Sequence, residues 1–368
     1  MKLKSIILSA ICALTVIAGF TSCSDDDVDN SWKEGSVVDL PSYRAFILSE
    51  GTMSKNNSHL FFVDPITDKP YESDIFEKQN GIKLGDTAND MLILDGDIYI
   101  VMNVSKVLYR LNGAGVIKAT YNNFDGDGLG EPRNAVAYNG KLYVTCYGGY
   151  VARFDAKTLA FEAKVKTDNN PEEIIAYGGN LFCVCSGMGT GNTLCIIDIT
   201  KNFNHAESVV TLDNPYAIKL ANSHIYIAAY GFYDPNTWTN DPKVGVFNID
   251  TKTTTEIAKG TRILATGDKL YIANSTSPDW VNYTTTMSVY DANTGKISPF
   301  TLSGKGGEAI SNGNIYMMEL NPYDGSIYIA TTDYVTNSNV YHFNSDGSYI
   351  GSFNAGGINA NSMVFLKN

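Results

Sequence analysis

The chain has 368 residues, of which 44% are hydrophobic and 18% are charged, and its formal net charge is -12. A chain of this length and hydrophobicity can bury a large core. The acidic balance, together with the lack of a dense basic stretch, argues against a nucleic-acid partner.

Residues 1–22 are typical of a secretory signal peptide rather than of a folded element. Two lysines precede an apolar run, residues 6–20, that is too short to span a bilayer comfortably. Residues 20–23, Phe-Thr-Ser-Cys, resemble a bacterial lipobox, although Phe is less usual than Leu at the first position. This resemblance implies cleavage before Cys23 and acylation of Cys23, which becomes the first mature residue.

The residues after Cys23 predict an acidic tether. Residues 24–27, Ser-Asp-Asp-Asp, resemble the tag that sends lipoproteins of Bacteroidetes to the outer face of the outer membrane. An ordinary acidic linker on a periplasmic anchor is the alternative. Residues 23–42 lack strand patterning, and no second hydrophobic segment follows them. We therefore expect one domain, residues 43–368, that is held at the outer membrane by lipid alone and faces the cell exterior.

From residue 43 onward, short strand-like runs end repeatedly in an apolar residue followed by Asp or Asn. Successive Asp or Asn positions are about 43 to 53 residues apart, an interval typical of β-propeller blades. Asp and Asn side chains bond the amides of a following turn, so we interpret them as turn formers rather than catalytic carboxylates. The seven pairs are Val63-Asp64, Leu111-Asn112, Phe154-Asp155, Ile197-Asp198, Phe247-Asn248, Tyr290-Asp291 and Phe343-Asn344.

An aromatic residue precedes each of these pairs, usually just after a tight turn such as Asn139-Gly140. An apolar run, a Gly/Asn/Asp turn and a second apolar run predict a β-hairpin. Each repeat is therefore expected to contain four strands, named A to D from the channel outward. The aromatic residues, which fall on strand B, are Phe46, Tyr99, Tyr143, Phe182, Tyr226, Tyr271 and Tyr328.

The two ends of the repeat region predict how the ring closes. Residues 43–48 align with strand B and lack a strand A before them, whereas residues 361–366 match a strand A. The sequence thus predicts an all-β fold, a seven-bladed β-propeller of four-stranded antiparallel blades closed by the N- and C-terminal strands in one blade. Such closure removes exposed sheet edges.

The loops predict which face of the propeller binds a ligand. Tight A–B and C–D turns would share one face, while long B–C and D–A loops share the other. Aromatic groups beside neutral polar groups suit an extended, uncharged ligand with apolar faces, although packing of the loops onto the propeller is the alternative for each residue. The candidates are Met53, Tyr147, Tyr150, Met188, Tyr230, Phe232, Tyr233, Trp238, Trp280, Tyr283 and Tyr334.

The starts of the A strands provide a second set of polar residues, around the mouth of the central channel. They could bond a ligand or seal the channel, and Asn89, Arg133 and Tyr216 are added to the candidate binding residues. The aligned positions are Asn89, Arg133, Glu172, Tyr216, Thr261 and Asn361.

Metal-binding and catalytic patterns are sparse. Asp125 and Asp127 resemble the first half of a calcium loop, but Asn134 stands where the bidentate Glu is expected, and a plain turn cluster is the alternative. The four histidines fall in different repeats without metal-ligand spacing. We therefore expect no enzyme activity and no cofactor.

Four cysteines remain after those of the leader are set aside. Cys146, Cys183, Cys185 and Cys195 all lie in strand patterns, with Cys195 on the strand expected beside Cys183 and Cys185. Buried free thiols and a disulfide are both open interpretations.

Three segments carry a family resemblance over residues 43–368. Residues 46–51 (Phe-Ile-Leu-Ser-Glu-Gly), 84–91 (Leu-Gly-Asp-Thr-Ala-Asn-Asp-Met) and 99–103 (Tyr-Ile-Val-Met-Asn) resemble the YncE-like propellers of Bacteroidetes surface lipoproteins. Within that group, BtuG-like lipoproteins capture cobalamin and cover an outer-membrane transporter. The resemblance implies a corrinoid ligand passed to a TonB-dependent transporter.

Other functions are known among related propellers. A glycan-binding lipoprotein and a protein-interaction propeller are the alternatives. Lactonases and quinoproteins also occur, but they need clustered acidic or His ligands, which the mixed ring at the channel mouth does not provide.

Overall fold

The computed structural model describes residues 30–70, 74–201 and 203–368, and Trp32–Asn368 form one compact unit. The strands of the described residues are, in chain order, β1 (Tyr43–Ser49), β2 (His59–Asp64), β3 (Lys69–Pro70), β4 (Ala88–Leu94), β5 (Asp97–Met102), β6 (Val107–Leu111), β7 (Ile117–Tyr121), β8 (Pro132–Tyr138), β9 (Lys141–Cys146), β10 (Tyr150–Asp155), β11 (Phe161–Lys166), β12 (Pro171–Tyr177), β13 (Asn180–Cys185), β14 (Thr193–Asp198), β15 (Glu207–Val210), β16 (Pro215–Ala221), β17 (His224–Ala229), β18 (Lys243–Asn248), β19 (Thr253–Ala258), β20 (Arg262–Thr266), β21 (Lys269–Thr276), β22 (Thr284–Asp291), β23 (Lys296–Pro299), β24 (Asn314–Leu320), β25 (Ile327–Thr332), β26 (Asn339–Phe343), β27 (Tyr349–Asn354) and β28 (Ala360–Lys367).

These strands form seven four-stranded antiparallel sheets, which we call blades 1 to 7. Blade 1 has the order β28-β1-β2-β3, and blades 2 to 7 take four consecutive strands each, from β4–β7 to β24–β27. The inner strands contact one another in the order β4, β8, β12, β16, β20, β24 and β28, and β28 returns to β4. The structure confirms the seven-bladed propeller, with strand A of the first blade supplied by the C-terminus.

The hydrophobic core lies between the blades, one cluster for each pair of neighbours. The cluster between blades 2 and 3, for example, packs Tyr99 and Val101 of one blade against Leu142 and Phe154 of the next. The aromatic column predicted for strand B is buried throughout. These residues point between blades because neighbours along a strand alternate between its two faces.

The predicted turn formers close strand C as expected. The side chain of Asp155 accepts hydrogen bonds from the amides of Lys157 and Thr158, at 3.1 and 3.0 Å. Asn248 accepts from the amides of Asp250 and Thr251 in the same way, both at 2.9 Å. Their recurrence therefore reflects local turn chemistry.

The helices lie in connections between strands. α1 (Ile75–Asn80) and α2 (Gly304–Ser311) precede the inner strands of blades 2 and 7, and short 3-10 turns occur at Ser31–Lys33 and Gly187–Gly189. Asp74 caps α1 by accepting from the amides of its first turn. Within the described residues, no helix has the length and apolar character that a membrane span requires.

Residues of the predicted tether pack onto the propeller. Val38 and Leu40 are buried in the cluster between blades 1 and 2, and Trp32 lies under the guanidinium of Arg44, 3.7 Å from the ring centroid. These apolar side chains lack strand alternation, and the compact unit that includes them is Trp32–Asn368. The predicted signal peptide, Cys23 and the acidic tag lie outside the described residues.

Candidate functional site

A β-bulge at the start of an inner strand positions most side chains at the channel mouth. In β4, Ala88 is opposite Met102 and Asp90 is opposite Val101, so Asn89 is an extra residue. A bulge breaks the alternation of a strand and re-aims one side chain. Six of the seven inner strands are bulged in this way. The side chains at the bulges are Asn89, Arg133, Glu172, Tyr216, Tyr316 and Asn361.

The seventh inner strand, β20, starts in regular register, with Arg262 opposite Ala273. Without the extra residue, Arg262 rather than the predicted Thr261 reaches the mouth of the channel. Thr261 instead donates its amide to the carbonyl of Ala273 and lines a neighbouring cavity.

A cavity of about 310 Å³ opens at the channel mouth and is strongly polar. Its wall combines the bulge residues with side chains from the B–C loops, and its floor carries charged residues of the inner strands. The lining comprises Glu50, Asn89, Arg133, Asn134, Glu173, Tyr216, Ala217, Lys219, Tyr230, Arg262, Ile263, Tyr316, Met317, Met318, Glu319, Tyr334 and Asn361.

On one side of this cavity, Glu172 is at the centre of a hydrogen-bond network in which its negative charge is balanced by Arg133. Arg133 donates from Nε to Glu172 at 2.8 Å, and Ser186 donates to the other carboxylate oxygen at 2.7 Å. Tyr147 donates its hydroxyl to the same carboxylate at 3.0 Å, and burial raises the pKa of this phenol, which keeps it a neutral donor. The predicted Arg133 therefore lies in the cavity, and the predicted Tyr147 donates to the same carboxylate that binds Arg133.

The other side of the cavity presents a cation among tyrosines. Arg262 donates from Nη1 to the hydroxyl of Tyr230 at 2.9 Å and to the carbonyl of Thr261 at 2.7 Å, and from Nε to the carbonyl of Tyr316 at 3.2 Å. Tyr216 and Tyr230 stack with their ring centroids 4.0 Å apart. The acceptors of Arg262 are thus neutral, in contrast to the carboxylate that receives Arg133.

Glu50 and Tyr316 close the cavity between blades 1 and 7. The hydroxyl of Tyr316 donates to the carboxylate of Glu50. Burial raises the pKa of Glu50, against the lowering effect of this hydrogen bond. A raised pKa means that the buried carboxylate has lost solvation that a polar ligand group could restore.

A second cavity of about 210 Å³ adjoins the first and shares Tyr230, Arg262 and Tyr334 with it. It lies among the B–C loops of blades 5, 6 and 7 and is richer in aromatic groups. Trp238 and Trp280 line it while leaving 70% and 62% of their surface exposed. The two cavities form one depression, polar at the channel and aromatic at the rim.

Three of the rim aromatics sit in a backbone conformation that L-residues rarely adopt. Trp238, Trp280 and Tyr334 have φ values of 59°, 64° and 62°. The left-handed region costs about 1 kcal/mol or more for a bulky residue, and such strain concentrates at functional sites. Leu159 and Lys252, in C–D turns of the opposite face, share this conformation, so left-handed backbone occurs on both faces of the propeller.

Aspartate side chains hold these strained loops in place. Asp279 accepts from the amides of Val281 and Asn282, at 3.0 and 2.8 Å, directly beside Trp280. Asp333 does the same next to Tyr334. These amide hydrogen bonds lower the pKa of Asp279 to about 2, so the turn keeps its acceptor over the ordinary pH range.

The remaining predicted loop residues lie apart from this depression. Met188, Phe232 and Tyr233 line a shallow cavity of about 390 Å³ between blades 4 and 5. Met53 is exposed in its loop and belongs to neither lining. Tyr150 lies beneath two ammonium groups, with Lys164 Nζ 4.4 Å from its ring centroid, so the lysines cover that ring.

The predicted calcium ligands are engaged in other contacts. Lys106 Nζ lies 2.8 Å from Asp125, and Asp127 accepts hydrogen bonds from the hydroxyl of Tyr121 and the amide group of Asn123. In the described residues, the one group of three or more His, Cys, Asp or Glu ligands close enough to share an ion is Cys183, Cys185 and Cys195. The two aspartates therefore do not form a converging ligand set.

Sequence reasoning missed several residues of the depression. Glu50, Arg262, Tyr316, Lys219 and Glu319 all line the channel cavity. Only Arg262 could have been suspected from the sequence, because it directly follows Thr261, which was aligned with the channel-mouth positions. The other residues reach the cavity because of the bulges or because they face the interior of the channel. An alignment of strand starts reveals neither of these features.

The fold and the depression define the class of protein: a closed seven-bladed β-propeller with adjoining polar and aromatic cavities on its loop-rich face. No protein-family model and no curated protein matches the chain. Among solved structures, it is similar to a Bacteroides uniformis protein provisionally named a 6-phosphogluconolactonase, with a TM-score of 0.60 and 13% identity over 89% of this chain and 100% of that one. It is also similar to apo AztD from Citrobacter koseri, with a TM-score of 0.51 and 9% identity over 89% and 98%. These likenesses establish the propeller fold alone.

Proposed function

We propose that the depression on the loop-rich face binds a corrinoid, and that the protein passes this ligand to a TonB-dependent transporter of the outer membrane. The observation that carries the proposal is the junction of a polar channel cavity with an aromatic rim, through Tyr230, Arg262 and Tyr334. A ligand that fits must have both a broad apolar face and a set of hydrogen-bonding groups.

A corrinoid has this combination of groups. Its flat macrocycle offers apolar faces to Trp238 and Trp280, and its peripheral amides pair with neutral polar residues such as Asn240 and Thr239 at the rim. The phosphodiester of its nucleotide loop would accept from Arg262, whose present acceptors are all neutral. Affinity would come from preformed geometry, because a closed propeller loses little entropy on binding.

The location at the outer membrane and the transporter partner rest on the sequence. The lipobox ending at Cys23 and the acidic residues after it support a lipid anchor on the cell surface. A protein anchored there would stand at the cell surface, where both the ligand and the transporter are accessible. We propose a binding protein rather than an enzyme, since the channel mouth mixes Asn, Arg, Glu and Tyr.

Glycan capture is the second candidate, and the exposed tryptophans favour it. Trp238 and Trp280 expose large flat surfaces at one rim, which is an arrangement on which sugar rings stack. The charged floor of the adjoining cavity, with Lys219 and Glu319, has no evident use in binding a neutral glycan. This difference makes the corrinoid the first choice.

Co-elution tests the proposal directly. The purified protein is mixed with cyanocobalamin and passed through a gel-filtration column. The same preparation is also applied to a glycan array, and the two results are compared. We expect the pink absorbance to travel with the protein at one ligand per chain. Colourless protein fractions would overturn the corrinoid proposal, and binding to the array in that case would establish the glycan candidate.

A further inference from the structure

Three cysteine side chains converge inside blade 4, away from the loop-rich depression. Cys183 and Cys185 are two residues apart on β13 and therefore share one face of the sheet, and Cys195 on β14 is directly opposite Cys183. All three are buried, and their sulfur atoms lie within 4.8 Å of one another. The register of a single hairpin is thus sufficient to bring three thiols together.

We propose that these three cysteines form a binding site for one thiophilic divalent metal ion of the zinc or cadmium type. A tetrahedral ion with zinc–sulfur bonds of about 2.3 Å requires sulfur atoms roughly 3.8 Å apart. Cys185 and Cys195 already place their sulfurs 3.7 Å apart. The inference is independent of the ligand proposed for the propeller face.

One backbone amide is directed at the sulfur of Cys195. The backbone amide of Asp168 donates to its sulfur at 3.4 Å. An amide directed at a ligating sulfur is the kind of outer contact that tunes a metal site.

The charge balance selects a divalent ion. Binding displaces three thiol protons to solvent and forms three metal–sulfur bonds, so M²⁺ and three neutral thiols give a complex of net charge −1 and three H⁺. A monovalent ion would leave a charge of −2 in the apolar cluster that includes Val165 and Ile174, which is more costly to bury. The fourth coordination position is left for a water molecule or another small ligand.

The chain offers an internal comparison in Cys146. This thiol is fully buried on β9 of the neighbouring blade, and its sulfur contacts the carbonyl of Val144 rather than another cysteine. A buried cysteine that only fills space therefore has a different environment from the group in blade 4. Because the group is enclosed, loading is expected to accompany folding or opening of the residue 167–169 loop.

Metal titration of the reduced full chain tests the proposal. Cadmium chloride is added to protein freed of metal by chelation, and the ultraviolet thiolate-to-cadmium charge-transfer band is followed. We expect saturation at one ion per chain, a melting temperature raised by a few degrees, loss of the band in Cys195→Ser, and an unchanged band in Cys146→Ser.

Three outcomes would overturn the metal site. They are the absence of the band in the wild type, a band of equal size in Cys195→Ser, and detection of a disulfide between any two of the three cysteines in protein alkylated before reduction. If Cys195→Ser does not fold, alkylation of the wild type in mild denaturant provides the same discrimination. Cadmium should protect three thiols that are alkylated in the metal-free protein, and equal alkylation with and without cadmium would contradict the site.

Discussion

At the scale of single residues, Arg262 constrains the ligand most. Its guanidinium lies in the wall of both cavities and donates to two backbone carbonyls and to the hydroxyls of Tyr216 and Tyr230. Arg133, 129 residues earlier in the chain, instead forms an ion pair with Glu172. A cation bonded to neutral acceptors gains more from an anionic or strongly accepting ligand group than one already paired. We therefore expect the ligand to place such a group at Arg262.

Replacing Arg262 by Gln tests this expectation. Hydrogen bonds to charged groups contribute about 1.5–3 kcal/mol, so cyanocobalamin should bind roughly 10- to 150-fold more weakly to Arg262→Gln. Calorimetric titration measures the change, and Arg153→Gln, in an exposed ion pair with Glu162, serves as the control. Equal affinities for the two variants would exclude Arg262 as a ligand contact.

Glu319 predicts a pH dependence of stability. Burial raises its pKa to about 7, against the lowering effect of Lys219, while the nearby Glu173 and Asp90 add to the rise. The native protein then binds more protons than the unfolded chain between pH 4.5 and 7, so the free energy of unfolding falls as the pH rises through this window. The expected loss from Glu319 is about 1 to 3 kcal/mol.

Denaturant unfolding at pH 4.5 and 7.5 measures this effect. The decrease between the two pH values should be smaller in Glu319→Gln by the amount that Glu319 contributes, because a neutral amide does not titrate. Asp90 shifts in the same direction and interacts with Glu319, so the difference between the two proteins measures Glu319 together with this interaction. An unchanged decrease in the variant would show that Glu319 is already ionised, or solvated, in the native state.

At the scale of elements, two local devices build the depression: bulges in the inner strands and Asp-held loops at the rim. The bulges aim Asn89, Tyr216 and Tyr316 at the channel mouth, and the aspartates hold the strained aromatics. The same Asp chemistry occurs at the opposite face, where Asp291 accepts from the amide of Thr294. The same kind of aspartate turn therefore shapes the tight turns of one face and the aromatic loops of the other.

The loop device gives a matched pair of variants in blade 6. Asp279→Ala should free the loop that carries Trp280 and weaken ligand binding about 2- to 10-fold, because the loop must then be ordered on binding. Asp291→Ala removes an equivalent turn acceptor on the far face and should leave affinity unchanged. Fluorescence quenching titrations compare the two, and an equal effect of both would show that rim order does not matter.

The elements differ in how far they could be predicted from the sequence. Turn formers such as Asp155 and strand B aromatics such as Tyr226 were predictable, because each depends on residues within a few positions or on a period of two. The bulge that displaces Tyr316 and the regular start that selects Arg262 depend on pairing with the neighbouring strand. Such a one-residue offset has no signature in a single strand.

At the scale of the whole molecule, closure joins the two ends of the chain. β28 pairs with β1 along its length, and the amide of Asn368 donates to the carbonyl of Ser42 at 3.1 Å. Met363 and Phe365 of β28 are buried in the cluster between blades 7 and 1. The last strand therefore completes two blade interfaces and the inner ring.

Removing residues 360–368 should abolish cooperative unfolding. The deletion exposes the edge of β1 and opens the ring, a loss comparable to the total stability of about 5–15 kcal/mol expected for a folded domain. Thermal melting followed by circular dichroism measures it, with the full chain as the reference. A cooperative transition at the wild-type temperature in the longer deletion would contradict the role of β28 in closure.

The whole fold was predictable because closure and blade number follow from a sevenfold recurrence and from two complementary ends. The packing of Val38 and Leu40 onto the propeller has no such signal, since these residues lack strand alternation. The ligand also stays a proposal, because its recognition depends on how the loops carrying Tyr230, Trp280 and Tyr334 meet in space. Neither the periodicity nor the composition of the sequence determines the relative positions of these loops.

Calorimetric titration of cyanocobalamin into wild type and a Trp238→Ala/Trp280→Ala double variant tests the central claim most directly. Both tryptophans are highly exposed, so their removal should leave folding intact while weakening binding at least about tenfold. Tyr323→Ala, an exposed aromatic in the A–B connection of blade 7, should bind like the wild type. One-to-one binding that weakens only in the double variant is the predicted result. No heat in the wild type, or equal affinity in all three proteins, would contradict the loop-rich depression as a corrinoid site.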